Sequence, residues 1–286
     1  MKPALHVLGT SNETSGDLVE AFRTLGIPAQ LIEADDALGV LGADDTALAR
    51  LDVRQTLDGV EPGLLATLLL ERRGVHVLNP VSSLLAAHDK LRTARLLDAA
   101  GVPHPRTALL GSDEAAAIQA PLVLKPRFGS WGRDVWLCAD TSELAEKVRE
   151  VSDRTWFLRH GAVVQQYVPV PRQDLRMLVA ERYVVGAATR IALPGEWRTN
   201  VSIGGTLEPV VPPPEAEALA VAAVVALGGD FMGVDLIPDP AGGYFVLEVN
   251  AAAEFDDHYS IGGRDVFREA ASRLGLLREP AAAAAY

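Results

Sequence analysis

Leu122-Val123-Leu124-Lys125-Pro126-Arg127-Phe128-Gly129-Ser130-Trp131-Gly132-Arg133-Asp134-Val135 reads as an apolar strand ending in a lysine, then a glycine-bearing loop, then a return strand. Glycines let backbone N–H groups approach an anion closely, and a lysine supplies a point charge for phosphate. The Gly-Lys-Ser/Thr of a Walker A loop is absent, and a strand rather than a helix follows. Taken alone, the stretch is equally an ordinary hairpin. Trp131 points further: a large aromatic in a mobile glycine loop is costly unless it covers something on closure, so a lid role is expected.

Downstream, strands expected at 234–237 and 244–249 flank Pro238-Asp239-Pro240-Ala241-Gly242-Gly243, a strong turn signal. Alternation on the second strand sets Glu248 and Asn250 on one face and Leu247 and Val249 on the other. A turn centred between Ala241 and Gly242 sets Asp235 opposite Glu248. Three hard oxygen donors then converge. The set suits Mg²⁺, which takes carboxylates together with waters and substrate phosphates. A solvated sheet face with chance acids explains the same residues equally well.

Arginines fall along other expected strands, in Asp174-Leu175-Arg176, at Arg190, and in Trp197-Arg198-Thr199-Asn200-Val201-Ser202-Ile203-Gly204-Gly205. In an acidic chain these are anion grips, although surface salt bridging explains each one singly. Lys90 stands in the first turn of a helix that Asp89 caps and Gly101 stops. The helix dipole disfavours a cation there. That conflict points to a phosphate partner, against the blander reading of a solvated lysine.

Toward the amino terminus, a strand at 5–8, a helix at about 15–25 and a strand at 29–32 follow β-α-β order, which predicts a parallel sheet covered by helices. The loop from Gly9 to Gly16 lacks the Gly-x-Gly-x-x-Gly spacing of a dinucleotide site. From residue 121 onward, short strands at 122–124, 135–137, 163–168, 175–179 and 183–188 predict antiparallel sheet. A capping box at Asp140-Thr141-Ser142-Glu143 opens a helix to about 151. The apolar run 218–227 is half the length of a membrane span and reads as a buried helix. A closing helix is expected over 264–277.

At 286 residues, 49% hydrophobic and 22% charged, the chain has ample material for a packed core. A formal charge of −12 repels phosphate backbones and anionic lipid, so nucleic-acid and membrane-surface binding are not expected. The single cysteine, Cys138, forms no intrachain disulfide, and no Cys/His cluster offers a zinc site; a reduced, cytoplasmic protein is expected. The first residues carry too short an apolar stretch for a secretory signal.

Together these motifs resemble the ATP-grasp ligases, within them the RimK-like carboxylate–amine ligases, and most of all the lysine-biosynthesis LysX subgroup. The resemblance runs from about residue 75 to 277. It rests on the order of His88-Asp89-Lys90, Leu124-Lys125-Pro126 with Gly129-Ser130-Trp131-Gly132-Arg133, Val164-Gln165-Gln166-Tyr167-Val168, Asp174-Leu175-Arg176, Arg198-Thr199-Asn200, Gly233-Val234-Asp235 and Glu248-Val249-Asn250. It implies an α/β fold with an N-terminal β-α-β domain over 1–87, a central lid subdomain over 88–162, a catalytic, mainly antiparallel sheet over 163–279, and a disordered tail at 280–286.

The resemblance further implies an ADP-forming ligase that activates a carboxylate as an acyl phosphate and joins it to an amine. The acceptor is a glutamate-type carboxylate of a small acidic carrier protein or of a small molecule. In this reading Lys90 and Lys125 contact ATP phosphates and Gly129, Ser130, Trp131 and Gly132 close over them. Gln166, Tyr167 and Val168 meet adenine through their backbone, and Asp174 approaches the ribose. Asp235, Glu248 and Asn250 hold Mg²⁺, as two ions, with Mn²⁺ as a substitute. Arg176, Arg190, Arg198 and Asn200 face the acyl phosphate. A homodimer or homotetramer is implied.

Two departures stand out: relatives usually carry a basic residue where this chain has Ile203, and Asp256-Asp257-His258 follows Glu254-Phe255. Glu254, Asp256 and Asp257 are expected to bind the incoming ammonium group and accept its proton, while a solvated acidic loop explains Asp256 and Asp257 equally well. The alternative functional reading is a non-catalytic ATP-binding protein of the same fold. A plain amino-acid-binding module leaves the Asp235, Glu248 and Asn250 set unexplained.

Overall fold

A computed structural model of the chain describes residues 5–10, 13–169 and 172–277; the expected tail at 280–286 lies outside them. Its strands form three sheets. The first is parallel, in the order β2-β1-β3-β4, and is built from β1 (Leu5–Leu8), β2 (Ala29–Ile32), β3 (Thr46–Ala49) and β4 (His76–Leu78). Helices α1 (Glu13–Thr24), α2 (Ala34–Ala37) and α3 (Leu64–Arg72) connect them. All of β1 is buried, as a parallel strand covered on both faces must be. Two helices follow, α4 (Val81–His88) and α5 (Lys90–Ala99), broken at Asp89, whose carboxylate accepts from the N–H groups of Leu91 and Arg92 and caps α5.

The second sheet is antiparallel, ordered β5-β8-β6-β7, from β5 (Thr107–Leu109), β6 (Leu122–Pro126), β7 (Trp136–Cys138) and β8 (Ala162–Gln166). It carries α6 (Asp113–Ala116), α7 (Thr141–Val151) and α8 (Thr155–His160). Asp140 caps α7 as expected, while Glu143 reaches back to the N–H of Ala139. β8, across which the expected boundary at 162/163 falls, is an inner strand of this sheet.

The third sheet is also antiparallel, ordered β11-β10-β9-β12-β13. It comprises β9 (Gln173–Ala180), β10 (Tyr183–Ile191), β11 (Thr206–Pro209), β12 (Phe231–Pro238) and β13 (Tyr244–Asn250). The apolar helix α9 (Pro214–Leu227) packs on strands β9, β10, β12 and β13, burying Ala216, Ala220, Ala223, Val224 and Leu227. It opens with proline in its first turn and stops at Gly228, whose φ of 70° is a conformation glycine adopts without strain. The closing helix α10 (Val266–Arg273) is shorter than the pattern predicts, because Asp265 caps it late and a turn through Gly275 ends it.

Asn79 helps join the first sheet to the third. Asn79, buried and left-handed at φ 56°, follows β4 and meets the start of β12. Its side-chain oxygen accepts from the N–H groups of Asp230 and Phe231, its amide nitrogen donates to the Phe231 carbonyl, and its backbone N–H donates to the Asp230 carboxylate. Removing that amide leaves several buried backbone groups unpaired, at about 1–3 kcal/mol each. Asn79→Ala is therefore expected to lower unfolding stability by about 3 kcal/mol. A urea midpoint equal to wild type contradicts this account of the junction.

Candidate active site

A cavity of about 300 Å³ is walled by the second sheet, the third sheet and the start of α5. Its charged floor follows from strand register. Asp235 on β12 is directly opposite Arg176 on β9 and Glu248 on β13, and Arg190 on β10 is opposite Asp174 on β9. In an antiparallel sheet such pairs share a face, so four neighbouring strands set alternating charges side by side. Arg176 grips Asp235 with both Nε and Nη2, the latter at 2.8 Å. Arg190 donates to the two Asp174 oxygens at 2.8 and 2.6 Å and to Asp235 at 2.7 Å. Thr199 donates to the same Asp174.

Asp174, Arg176, Arg190 and Asp235 are all buried. Burial opposes charge on Asp235, but Arg176 and Arg190 more than offset it and hold the carboxyl below the usual range. Burial likewise opposes the Arg190 cation, and the attraction of Asp235 and Asp174 keeps it firmly charged.

Two lysines face this floor. Lys90 Nζ lies 2.7 Å from Glu248 and 2.6 Å from the Gly129 carbonyl, so its unfavourable place in the first turn of α5 is balanced by a carboxylate from β13. Lys125, at the end of β6, donates at 2.9 Å to Gln165, which in turn donates to Thr107. Burial, helped by repulsion from Lys90, lowers Lys125 to about 8. Burial raises the Glu248 carboxyl, and Lys90 and Lys125 together outweigh that and draw it below the ordinary value.

The glycine loop closes the cavity. Arg127 at its base forms a bidentate pair with Asp89, at 2.7 and 2.6 Å. Trp131 and Gly132 both have positive φ, and a Cβ on Gly132 would fall 2.8 Å from Asn200 Oδ1, so only glycine lets the loop lie against Asn200. Arg198 donates to the Gly132 carbonyl at 2.9 Å and pairs with Glu196, whose carboxyl it pulls to about 2.

Most expected site residues thus line one cavity: Lys90, Lys125, the 129–132 loop, Gln166, Tyr167, Val168, Asp174, Arg190, Arg198, Asn200, Asp235 and Glu248. Arg176 reaches it through Asp235. Asn250 is two residues beyond Glu248, and its side-chain oxygen accepts from the N–H of Ala252. Glu254, Asp256 and Asp257 do not line it. They are exposed, and Asp256 caps a short 3-10 turn over Asp257–Tyr259 while pairing with His258.

On β13 strict alternation fails at Leu247: the β12–β13 register slips next to Asp235, so Leu247 is an extra residue that lines the cavity beside Glu248 instead of facing away. Sequence reading also passed over Gln165, Thr199 and Arg50. Arg50 is 1% exposed and donates to the Ala253 carbonyl at 2.9 Å, tying the end of β3 to the loop after β13. A polar residue closing an apolar strand was its only sign.

Among the described residues no group of three His, Cys, Asp or Glu side chains forms a metal cluster. The donors present fit Mg²⁺ nonetheless, since that ion binds through one or two carboxylates and completes its shell with phosphate oxygens and water. Among the described residues Lys90 alone donates a hydrogen bond to Glu248, whereas Asp235 already accepts three.

Residues 87–269 match the model of the RimK-like ATP-grasp domain. The chain belongs to the RimK-like ATP-grasp family. It is an ATP-dependent carboxylate–amine ligase of the ADP-forming class. It is 32% identical over 200 residues to the glutamate–LysW ligase ArgX of Sulfurisphaera tokodaii, covering 67% of this chain and 70% of that one. It is 31% identical over 221 residues to the α-aminoadipate–LysW ligase LysX of Sulfolobus acidocaldarius, covering 76% and 79%. The fold matches that of the ATP-grasp ligase PsnB complexed with a phosphomimetic precursor variant, Mg and ADP, at a TM-score of 0.69 and 18% identity, over 96% of this chain and 99% of that one. ATP binding follows from the family. Among the described residues no helix is long and apolar enough to cross a membrane.

A lysine lowered to about 8 changes charge close to neutral pH, so if Lys125 contacts nucleotide phosphate as expected, binding should depend on pH. Its ammonium is intact below pH 8, phosphate contact favours that form, and deprotonation above pH 8 removes the attraction. ATP affinity is expected to fall about tenfold between pH 7 and pH 9.5, and Lys125→Met should bind weakly and without this dependence. The dissociation constant from titration calorimetry checks this; a flat wild-type profile contradicts it.

Proposed function

We propose that the chain joins an amino acid to a glutamate-type carboxylate, on a carrier protein as in the LysW ligases or on a small molecule. The observation that carries this reading is the row of buried, mutually fixed charges on the third sheet facing two lysines across one cavity. A carboxylate activated by phosphoryl transfer, with release of ADP, loses phosphate when an amine attacks its carbon. Such chemistry builds negative charge on oxygen and asks the protein for positioning and fixed positive charge.

Each residue has a part. Lys90 and Lys125 hold nucleotide phosphates, and Gly129, Ser130, Trp131 and Gly132 cover them. Gln166, Tyr167 and Val168 meet the base, Tyr167 being braced edge-on by Trp197. Glu248, with Asn250 and Asp235, holds the divalent cations, two in number, with Mn²⁺ able to replace Mg²⁺; bound there, they neutralise phosphate charge. Arg176, Arg190, Arg198 and Asn200 supply donors to the reacting oxygens. Asp174 fixes Arg190, since Arg190 and Thr199 already engage it, and this argues against the ribose contact.

The test is ADP and phosphate release with amino acids and carrier-type or glutamyl acceptors, with product masses. Release that depends on the amine and matches amide formation supports ligation; amine-independent hydrolysis as the sole activity removes it. Glu248→Ala should cut turnover at least about a hundredfold with an unchanged circular dichroism spectrum. Wild-type turnover in that variant overturns the metal role.

A further inference from the structure

A second cleft of about 380 Å³ adjoins the first and shares Trp131, Gly132 and Arg198 with it as a common wall. Its apolar surface comes from Leu57, in the segment between β3 and α3, and from Trp131, Trp156 and Ile203. Its cations are Arg133, Arg154 and Arg198.

Two of these cations are already compensated. Arg154 pairs with Asp134 at 2.5 Å, and Arg198 with Glu196 at 2.8 Å. Arg133 alone makes no ion pair among the described residues. Its guanidinium lies over the Trp131 ring, 4.5 Å from the centroid, and spends one N–H on the Gln55 carbonyl at 3.2 Å. A guanidinium carries five N–H groups, and its fork matches a carboxylate in bidentate fashion. Stacking on an aromatic ring holds it in place at little entropic cost.

Resting on the ligase reading above, we propose that this cleft binds the amine substrate as an α-amino acid with one carboxylate and an apolar side chain, the carboxylate on Arg133 and the side chain against Leu57, Trp131, Trp156 and Ile203. A second, side-chain carboxylate finds no uncompensated cation there and meets Asp134 and apolar walls. Placing it costs the desolvation of an unpaired charge. The specificity thereby departs from the dicarboxylic amino acids named for the LysW ligases.

Intrinsic tryptophan fluorescence tests this without turnover, so it stays informative even if the ligase reading fails. The chain is titrated with L-leucine, L-leucinamide, which lacks the carboxylate, and L-glutamate. Leucine is expected to saturate the signal at least about tenfold more tightly than either other probe, in line with the loss of one charged contact. Arg133→Met, at an exposed position, should erase the preference for leucine over leucinamide. Ile203→Arg adds a second cation to the same wall and should bring glutamate level with leucine or better. Absence of leucine binding, equal affinity for leucinamide, wild-type preference for glutamate, or discrimination surviving in Arg133→Met each overturns the proposal.

Discussion

Asp235 accepts from two arginines at once, and the organisation of the catalytic sheet depends on that contact. The pairing fixes Arg176 on β9 and Arg190 on β10 relative to β12, and Asp174 extends it back to β9. Buried ion pairs of this kind add little net stability, because desolvation consumes most of the Coulomb gain, while loss of one partner is costly. Their value lies elsewhere. Each guanidinium is locked before any substrate arrives, so charge that develops beside it is met by donors needing no reorganisation. The opposite face of the same sheet is given over to alanine and valine of α9, which keeps the charged face single and its register unambiguous.

Lys90 has a comparable role between the units. It touches the glycine loop of the second sheet and the carboxylate of the third while belonging to the helix that leaves the first. Asp89 beside it caps that helix and anchors Arg127 at the root of the loop. Two adjacent residues therefore couple loop position to the metal-side carboxylate. In the proposed reading, a phosphate group that draws Lys90 away would free Glu248 in the same movement and so link nucleotide arrival to cation binding through one side chain.

Much of this was legible because strands obey simple periodicity. The turn sequence alone set Asp235 opposite Glu248, and the register agrees. Leu247 was misplaced since a bulge leaves no trace in alternation. The strands β3, β5 and β11 were not marked in the sequence. In the Gln165-Gln166 pair, adjacent residues point oppositely, and the inner one, Gln165, holds Lys125. Proximity in sequence misled at Asp256 and Asp257, where a 3-10 turn carries both acids onto exposed surface. Arg50 could not be found by periodicity, because its meaning comes from a contact with Ala253, far along the chain.

The central claim is that the charged floor and the two lysines form a nucleotide and metal site. A crystal structure with a non-hydrolysable ATP analogue and Mn²⁺, located by its anomalous scattering, tests it most directly. The account predicts manganese bonded to Glu248, with Lys90 and Lys125 on phosphate oxygens and Arg190 still gripping Asp174. Phosphates lying outside the cavity, or a Lys90–Glu248 pair intact with no metal at Glu248, would contradict it.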